Sequence, residues 1–235
     1  MTFWKTYWEN KKNGGHRWQE ENFLKKEAAE KLYHLSGGNS LLDFGCGSAD
    51  LLVYYAPEYS IVVGVDFSSN MLNNARVRLM NFGCDNVQLV QADDINVWER
   101  VSESFDRITA GQVVQYLKLE HLDRFINVAS QRLNSGGKII LFDIIDPRIY
   151  FLVRIGVLIP KNTFTKNAGI AIAKSTIRLA ISKPLAILKQ KPADMIGNSH
   201  HPGDIYKIAR KYDLEMEYVC SMYYEYRYHV ILTRK

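Results

Sequence analysis

Three short stretches carry side chains whose types and spacing suit a nucleoside. The first is Asp43-Phe44-Gly45-Cys46-Gly47-Ser48, where two glycines let a ligand lie against the backbone before the chain turns into a helix. The second is Val65-Asp66, an acid closing an apolar run, placed to chelate the two hydroxyls of a ribose. The third is Ala92-Asp93-Asp94, an acid pair able to accept from an adenine amino group. A phosphate cradle is not on offer, because a dinucleotide fingerprint wants glycine where this chain has Asp50. Each acid alone has a structural use, in a turn or at a helix end. Their joint recurrence at successive strand ends is what points to a ligand. Cys46 reads as a small spacer, since no histidine stands near it in sequence to make a thiolate.

The elements that must hold these residues are legible around them. SLLDF, IVVGVDF, VQLVQAD, FDRITA and KIILFDI are short apolar runs, separated by the helical patterns LLVYYA, SSNMLNNARVRLMNFG and HLDRFINVASQRLN. Such alternation predicts a parallel sheet covered on both faces, with ligands outside the carboxyl ends of its strands. A helix is expected over residues 17 to 35, a further helix at GDIYKIARKY, and two last strands at LEMEYVCSM and YRYHVILTRK.

At 235 residues, 47% hydrophobic and 23% charged, the chain is sized for one compact domain, which excludes disordered, collagen-like and fibrous classes. Three lone cysteines offer neither a disulfide framework nor paired zinc ligands, and MTFWKTYWENKKNGG lacks the apolar core of an export signal. A cytoplasmic setting is expected. Arg154, Lys174, Arg178 and Lys183 interrupt the most apolar stretches, against a membrane-spanning helix. The net charge is +5, yet nine Lys and Arg face only two Asp between Asp146 and Ser199. This composition shift divides the chain into an N-terminal helical arm (1–36), a core (37–145 and 200–235) and a basic, apolar helical lid (146–199). Such a lid can meet phosphate, an anionic lipid surface or an acidic substrate, or be a solvated face over an ordinary core.

Taken in order over residues 17 to 143, LLDFGCGSADLL, VVGVDFSSNML, VQLVQADDINVW, FDRITAGQVVQYL and LNSGGKIILFD resemble the successive motifs of the class I S-adenosylmethionine-dependent methyltransferases. The resemblance implies a Rossmann-like α/β sheet in the order 3-2-1-4-5-7-6 with strand 7 antiparallel. It also implies S-adenosyl-L-methionine as cofactor and S-adenosyl-L-homocysteine as product. By it, Asp43, Gly45, Cys46 and Gly47 line the methionine end and Asp66 holds the ribose. Phe67 and Met71 flank the adenine, Asp93 with Asp94 reads its amino group, and Gly111 and Gln112 sit near the methyl-bearing sulfur.

Methyl transfer from a sulfonium is an in-line displacement, so the protein must align the acceptor and, for a hydroxyl, take its proton. Topology puts Ser199-His200-His201-Pro202-Gly203-Asp204 and the turn Met222-Tyr223-Tyr224-Glu225 at the carboxyl rim. His200 or His201 is the expected base, with Tyr223 or Tyr224 positioning the acceptor; the competing reading of the His pair is a polar loop. His34 and His121 are expected on helices behind the sheet and His229 within the last strand. His16 joins only if the arm bearing Trp4, Tyr7, Trp8 and Trp18 folds over the site. Asp143 and Asp146 alone make a thin shell for magnesium, so no metal is expected.

The run Ala110-Gly111-Gln112-Val113-Val114-Gln115 lacks the signatures of DNA amino- and cytosine-C5-methyltransferases, and the paired-glutamate loop of protein arginine methyltransferases is missing. The expected acceptor is therefore not DNA but a small or a lipid- or sugar-linked molecule with apolar and anionic parts, methylated on O or N. Peripheral membrane contact through the lid stays open, as does the oligomeric state. The alternative is an S-adenosylmethionine-binding accessory or sensor whose lid docks a partner, RNA or a membrane.

Overall fold

The computed structural model describes residues 3–10, 20–155, 157–158 and 197–234. In chain order the elements are α1 (Phe3–Glu9), α2 (Glu21–Leu35), β1 (Ser40–Phe44), α3 (Leu52–Tyr55), β2 (Ile61–Asp66), α4 (Ser69–Asn81), β3 (Val87–Gln91), α5 (Val97–Arg100), β4 (Phe105–Gly111), α6 (Leu119–Gln131), β5 (Leu133–Ile145), α7 (Pro147–Arg154), α8 (Pro202–Lys211), β6 (Leu214–Cys220) and β7 (Arg227–Arg234). The seven strands form one sheet in the order β3-β2-β1-β4-β5-β7-β6. β1 to β5 are parallel, and β7 is antiparallel to both its neighbours, as the resemblance implied.

Successive strand residues point to opposite faces, and both faces are filled. Leu42, Val63 and Ile139 join one cluster with Leu122 and Phe125 of α6 and Ile205 of α8. Leu41, Val62 and Ile140 join another with Leu24 of α2, Leu52 of α3 and Leu72 of α4. Each fully buried aliphatic of this kind contributes about 1.5–3 kcal/mol relative to exposure. The double-sided core explains why these strands read as continuous apolar runs rather than alternating ones.

Two irregularities matter. The pattern HLDRFINVASQRLN predicts a helix to Asn134, but α6 stops at Gln131. Phe105 N–H donates to the Arg132 carbonyl at 2.8 Å and Leu133 pairs with Phe105, so the sheet claims these residues. In β5, Leu141 pairs with Val230 and Ile144 with Tyr228, so Phe142 and Asp143 together oppose His229. Asp143 takes φ +58° at this bulge. Bulges re-aim side chains next to functional sites, and here the bulge aims a carboxylate inward, where it is 1% exposed.

Asp146 caps α7, accepting from Arg148 N–H at 2.9 Å, and so opens the segment read as a lid. Residues 159–196, with Lys174 and Arg178, lie outside the described residues, as do His16 and Trp18. No described helix is long and apolar enough to cross a membrane.

Candidate functional site

The carboxyl edge of the sheet opens into a cavity of about 820 Å³. All eleven residues assigned to the cofactor by resemblance line it, following the strand order along the edge. Asp93 and Asp94 come from beyond β3, Asp66, Phe67 and Met71 from the end of β2 and the start of α4, and Asp43, Gly45, Cys46 and Gly47 from β1 and its turn. Gly111 and Gln112 come from β4. Trp8 of the N-terminal α1 also lines it and packs edge-on against Tyr116 at 5.7 Å.

Sterics dictate the first turn. Gly45 has φ +78°, and a Cβ there would stand 2.1 Å from Cγ2 of Val113. Asp66 organises the next turn, its Oδ2 accepting from Gly47 N–H at 3.0 Å and its Oδ1 from Ser68 N–H at 2.9 Å. A carboxylate offers about four lone-pair positions, so acceptor capacity remains for two hydroxyls. Burial pushes the Asp66 carboxyl up to about 6, against the downward pull of the backbone N–H groups of Ser68, Gly47 and Phe67. Burial, helped by Asp66 and Asp43, also raises the Cys46 thiol well above its ordinary value. A thiol held protonated in this way is no nucleophile.

The acid pair is divided in its duties. Asp93 Oδ1 accepts from Ile95 and Asn96 N–H at 2.9 and 3.2 Å, fixing the loop beneath the cavity. Asp94 Oδ2 lies 2.7 Å from His121 Nδ1 and 3.5 Å from Arg124. His121, expected behind the sheet, thus stands at the rim and lines the cavity. A helix that follows a parallel strand starts at the carboxyl edge, and His121 sits in the first turn of α6.

The residues read as catalytic are scattered. Tyr224 lines the cavity. Tyr223 does not, and packs edge-on against Phe23 at 5.5 Å. His201 caps α8, its Nδ1 accepting from Gly203 N–H at 3.0 Å. His200 is buried outside the cavity lining, with Nε2 3.1 Å from the Val114 carbonyl and its own carbonyl accepting from Tyr228 at 2.9 Å. Burial lowers its pKa, offset by hydrogen bonds to the carbonyls of Val114 and Leu117. The geometry gives His200 a bracing task between the loop after β4 and β7. His200→Ala is therefore expected to lose about 1–3 kcal/mol of stability in urea unfolding while cofactor affinity by calorimetry stays within about threefold. A far larger loss of affinity in a folded variant would refute that assignment.

Gln115, Asn198, Tyr226 and Arg227 also line the cavity and were not anticipated. The usable signal was position: Tyr226 and Arg227 follow Tyr224 into β7 at the same rim.

Asp143 and Asp146 are both engaged by cations. Asp143 meets Lys31 Nζ at 2.9 Å, and Lys31 meets Glu27 at 2.8 Å, all within the interior. Asp146 meets Arg148 at 2.6 Å. His229 Nδ1 accepts from Asp143 N–H at 3.0 Å, leaving Nε2 to donate to Glu30 at 3.1 Å. Burial opposes ionisation of Asp143, but the charges of Lys31 and Arg227 outweigh it and hold the carboxyl well below its ordinary range.

The strand order is that of the Rossmann-like methyltransferase fold. Residues 42–139 match the family described as "Methyltransferase domain". An uncharacterized protein of Methanocaldococcus jannaschii is 29% identical over 126 residues, 50% of this chain and 32% of the relative. Demethylmenaquinone methyltransferase of Listeria welshimeri is 27% identical over 139 residues, 57% of this chain and 53% of the relative. The chain thus spans about a third to a half of the length of these curated relatives. Among solved structures, magnesium protoporphyrin IX methyltransferase of Synechocystis PCC 6803, with bound S-adenosylmethionine, superposes at a TM-score of 0.58 and 14% identity, covering 92% of this chain and 79% of that one.

Proposed function

We propose that this protein binds S-adenosylmethionine in the cavity and transfers its methyl group to an oxygen or nitrogen of a small-molecule acceptor. One observation carries the reading: the glycine turn, Asp66 with acceptor capacity to spare, the Phe67–Met71 pair and Asp93 border one cavity in the order a nucleoside requires. In this reading Asp66 takes the ribose hydroxyls, Phe67 and Met71 the adenine faces and Asp93 its amino group. Asp43 and Gly45-Cys46-Gly47 border the methionine portion, with Gly111 and Gln112 beside the sulfur.

When bound, the cofactor supplies a methyl group already activated as a sulfonium. The chain's share is alignment and exclusion of water. Trp8, Tyr116, Tyr224 and Tyr226 give the cavity an aromatic wall suited to an apolar acceptor, and a volume of about 820 Å³ is ample for a second molecule beside a nucleoside. Quinone and porphyrin methyltransferases among the similar proteins support an acceptor of that kind. His121 and Asp94 lie beside Asp93 and Ile95, at the adenine end, and brace that loop.

Titration calorimetry on ligand-free protein is the direct test. S-adenosylmethionine and S-adenosylhomocysteine are both expected to bind with Kd values in the micromolar range, about −8 kcal/mol. A folded protein that binds neither ends this reading.

A further inference from the structure

Arg227 opens β7 beneath the cavity and is only 8% exposed. Its Nη1 donates to the Asp143 carbonyl at 2.6 Å and to Gln115 Oε1 at 3.0 Å. Nε is shut off from solvent without a hydrogen-bond partner, and Nη2 donates to none of the described residues. No carboxylate forms an ion pair with this guanidinium among the described residues, for Asp143 is spent on Lys31. The rings of Tyr224 and Tyr226 stand 5.6 and 5.4 Å from its Cζ, and both line the cavity.

Asp143 compensates this charge only in part, since its carboxylate is ion-paired to Lys31, and a buried cation left short of counter-charge is costly. Ring faces and two neutral acceptors compensate it in part. They leave Nη2 without an acceptor among the described residues, and a guanidinium N–H donates a short, charge-assisted hydrogen bond to a carboxylate. The surroundings state the rest of the ligand's chemistry, since Trp8, Tyr116, Tyr224 and Tyr226 favour a flat ring.

We propose that Arg227 anchors a carboxylate of the acceptor, which is accordingly a ring-bearing organic acid. The inference rests on the methyltransferase reading and specifies its substrate class. It also locates the acceptor along the sheet edge: Arg227 enters from β7, beyond β4 and β5, while the adenine pocket lies at β2 and β3. The reacting oxygen or nitrogen would then lie between the carboxylate and Gln112.

The test uses protein saturated with S-adenosylhomocysteine, titrated with 4-hydroxybenzoate and with its neutral isostere 4-hydroxybenzamide. The acid is expected to bind about tenfold or more tighter than the amide. In Arg227→Gln that preference collapses to about onefold, and Arg227→Lys keeps a part of it. Because the two probes are compared within one protein, general damage to a variant cancels, and the wild-type comparison stands even if a variant does not fold. Equal binding of acid and amide, no binding of the acid, or a preference that survives in Arg227→Gln each overturns the proposal. Failure of S-adenosylhomocysteine to bind the wild type instead removes the methyltransferase reading beneath it.

Discussion

Replacing Asp66 by alanine lowers S-adenosylmethionine affinity about 100-fold or more. Two charge-assisted hydrogen bonds to a ribose contribute about 1.5–3 kcal/mol each, and about 3 kcal/mol already exceeds a hundredfold in Kd. The variant stays folded, since the loss of two backbone hydrogen bonds at Gly47 and Ser68 is offset by removal of a buried charge. The wild type carries a pH signature of the same residue. Its free carboxyl titrates at about 6 because burial opposes ionisation, whereas bound hydroxyls favour the carboxylate. Affinity is therefore nearly flat above about pH 7 and falls about tenfold by about pH 5. Folding responds with the opposite sign. A carboxyl raised in the folded state stabilises fully below its ordinary value of 3.8, and that contribution is lost as pH rises through about 6. Ionised Asp66 then costs the free protein about 3 kcal/mol at neutral pH. Calorimetry at several pH values checks both parts: Asp66→Asn should bind weakly and without the acid limb. An acid limb that persists in Asp66→Asn would assign the titration to another group.

The readability of this site follows from how a parallel sheet is built. Each ligand-facing turn is continuous in sequence with the strand that delivers it, so Gly45, Asp66 and Asp93 announce themselves locally. The strand order rests on the resemblance rather than on any local pattern. The rim residues expected for catalysis fared differently, because a loop's position near an edge does not fix which way it dives. Asn198 lines the cavity, yet two residues later His200 has passed into the interior. The body of α6 packs behind the sheet, but His121 lies in its first turn, which begins at the carboxyl edge. The buried charges escaped for another reason. In α2, Leu24, Ala28, Lys31 and Leu35 recur at helical spacing and all are buried. Lys31 therefore occupies the apolar stripe, a position where a charge signals a partner; but that partner, Asp143, is supplied by a bulge over a hundred residues away.

That pair carries the largest expected effect on stability. Lys31→Met is expected to cost about 3–5 kcal/mol, the range for breaking a buried ion pair by removing one partner. The variant leaves Asp143 and Glu27 without the cation that both contact, in positions closed to solvent. Among the described residues only Ser221, donating to Asp143 Oδ1 at 3.2 Å, and Gln112, at 3.4 Å from Oδ2, remain as side-chain donors. Lys31 helps hold the Asp143 carboxyl low, so in the wild type this stabilisation is present above the ordinary carboxylate range and is lost only in strong acid. Without Lys31 the carboxyl rises and protonates sooner, so the deficit of the variant narrows on acidification. Asp143→Asn supplies the control, since asparagine tolerates the left-handed backbone that Asp143 adopts at φ +58°. The double variant Lys31→Met/Asp143→Asn should recover at least about half of the loss, because it removes the stranded charge along with its partner. Urea unfolding of the four proteins measures the coupling. Additive losses, with no recovery in the double variant, would mean that Lys31 stabilises by packing against Phe142, 5.6 Å from its ammonium, rather than by charge. Recovery would make the bulge and its ion pair one device, which joins α2 to β5 and fixes Gln112 and the Asp143 carbonyl that Arg227 grips.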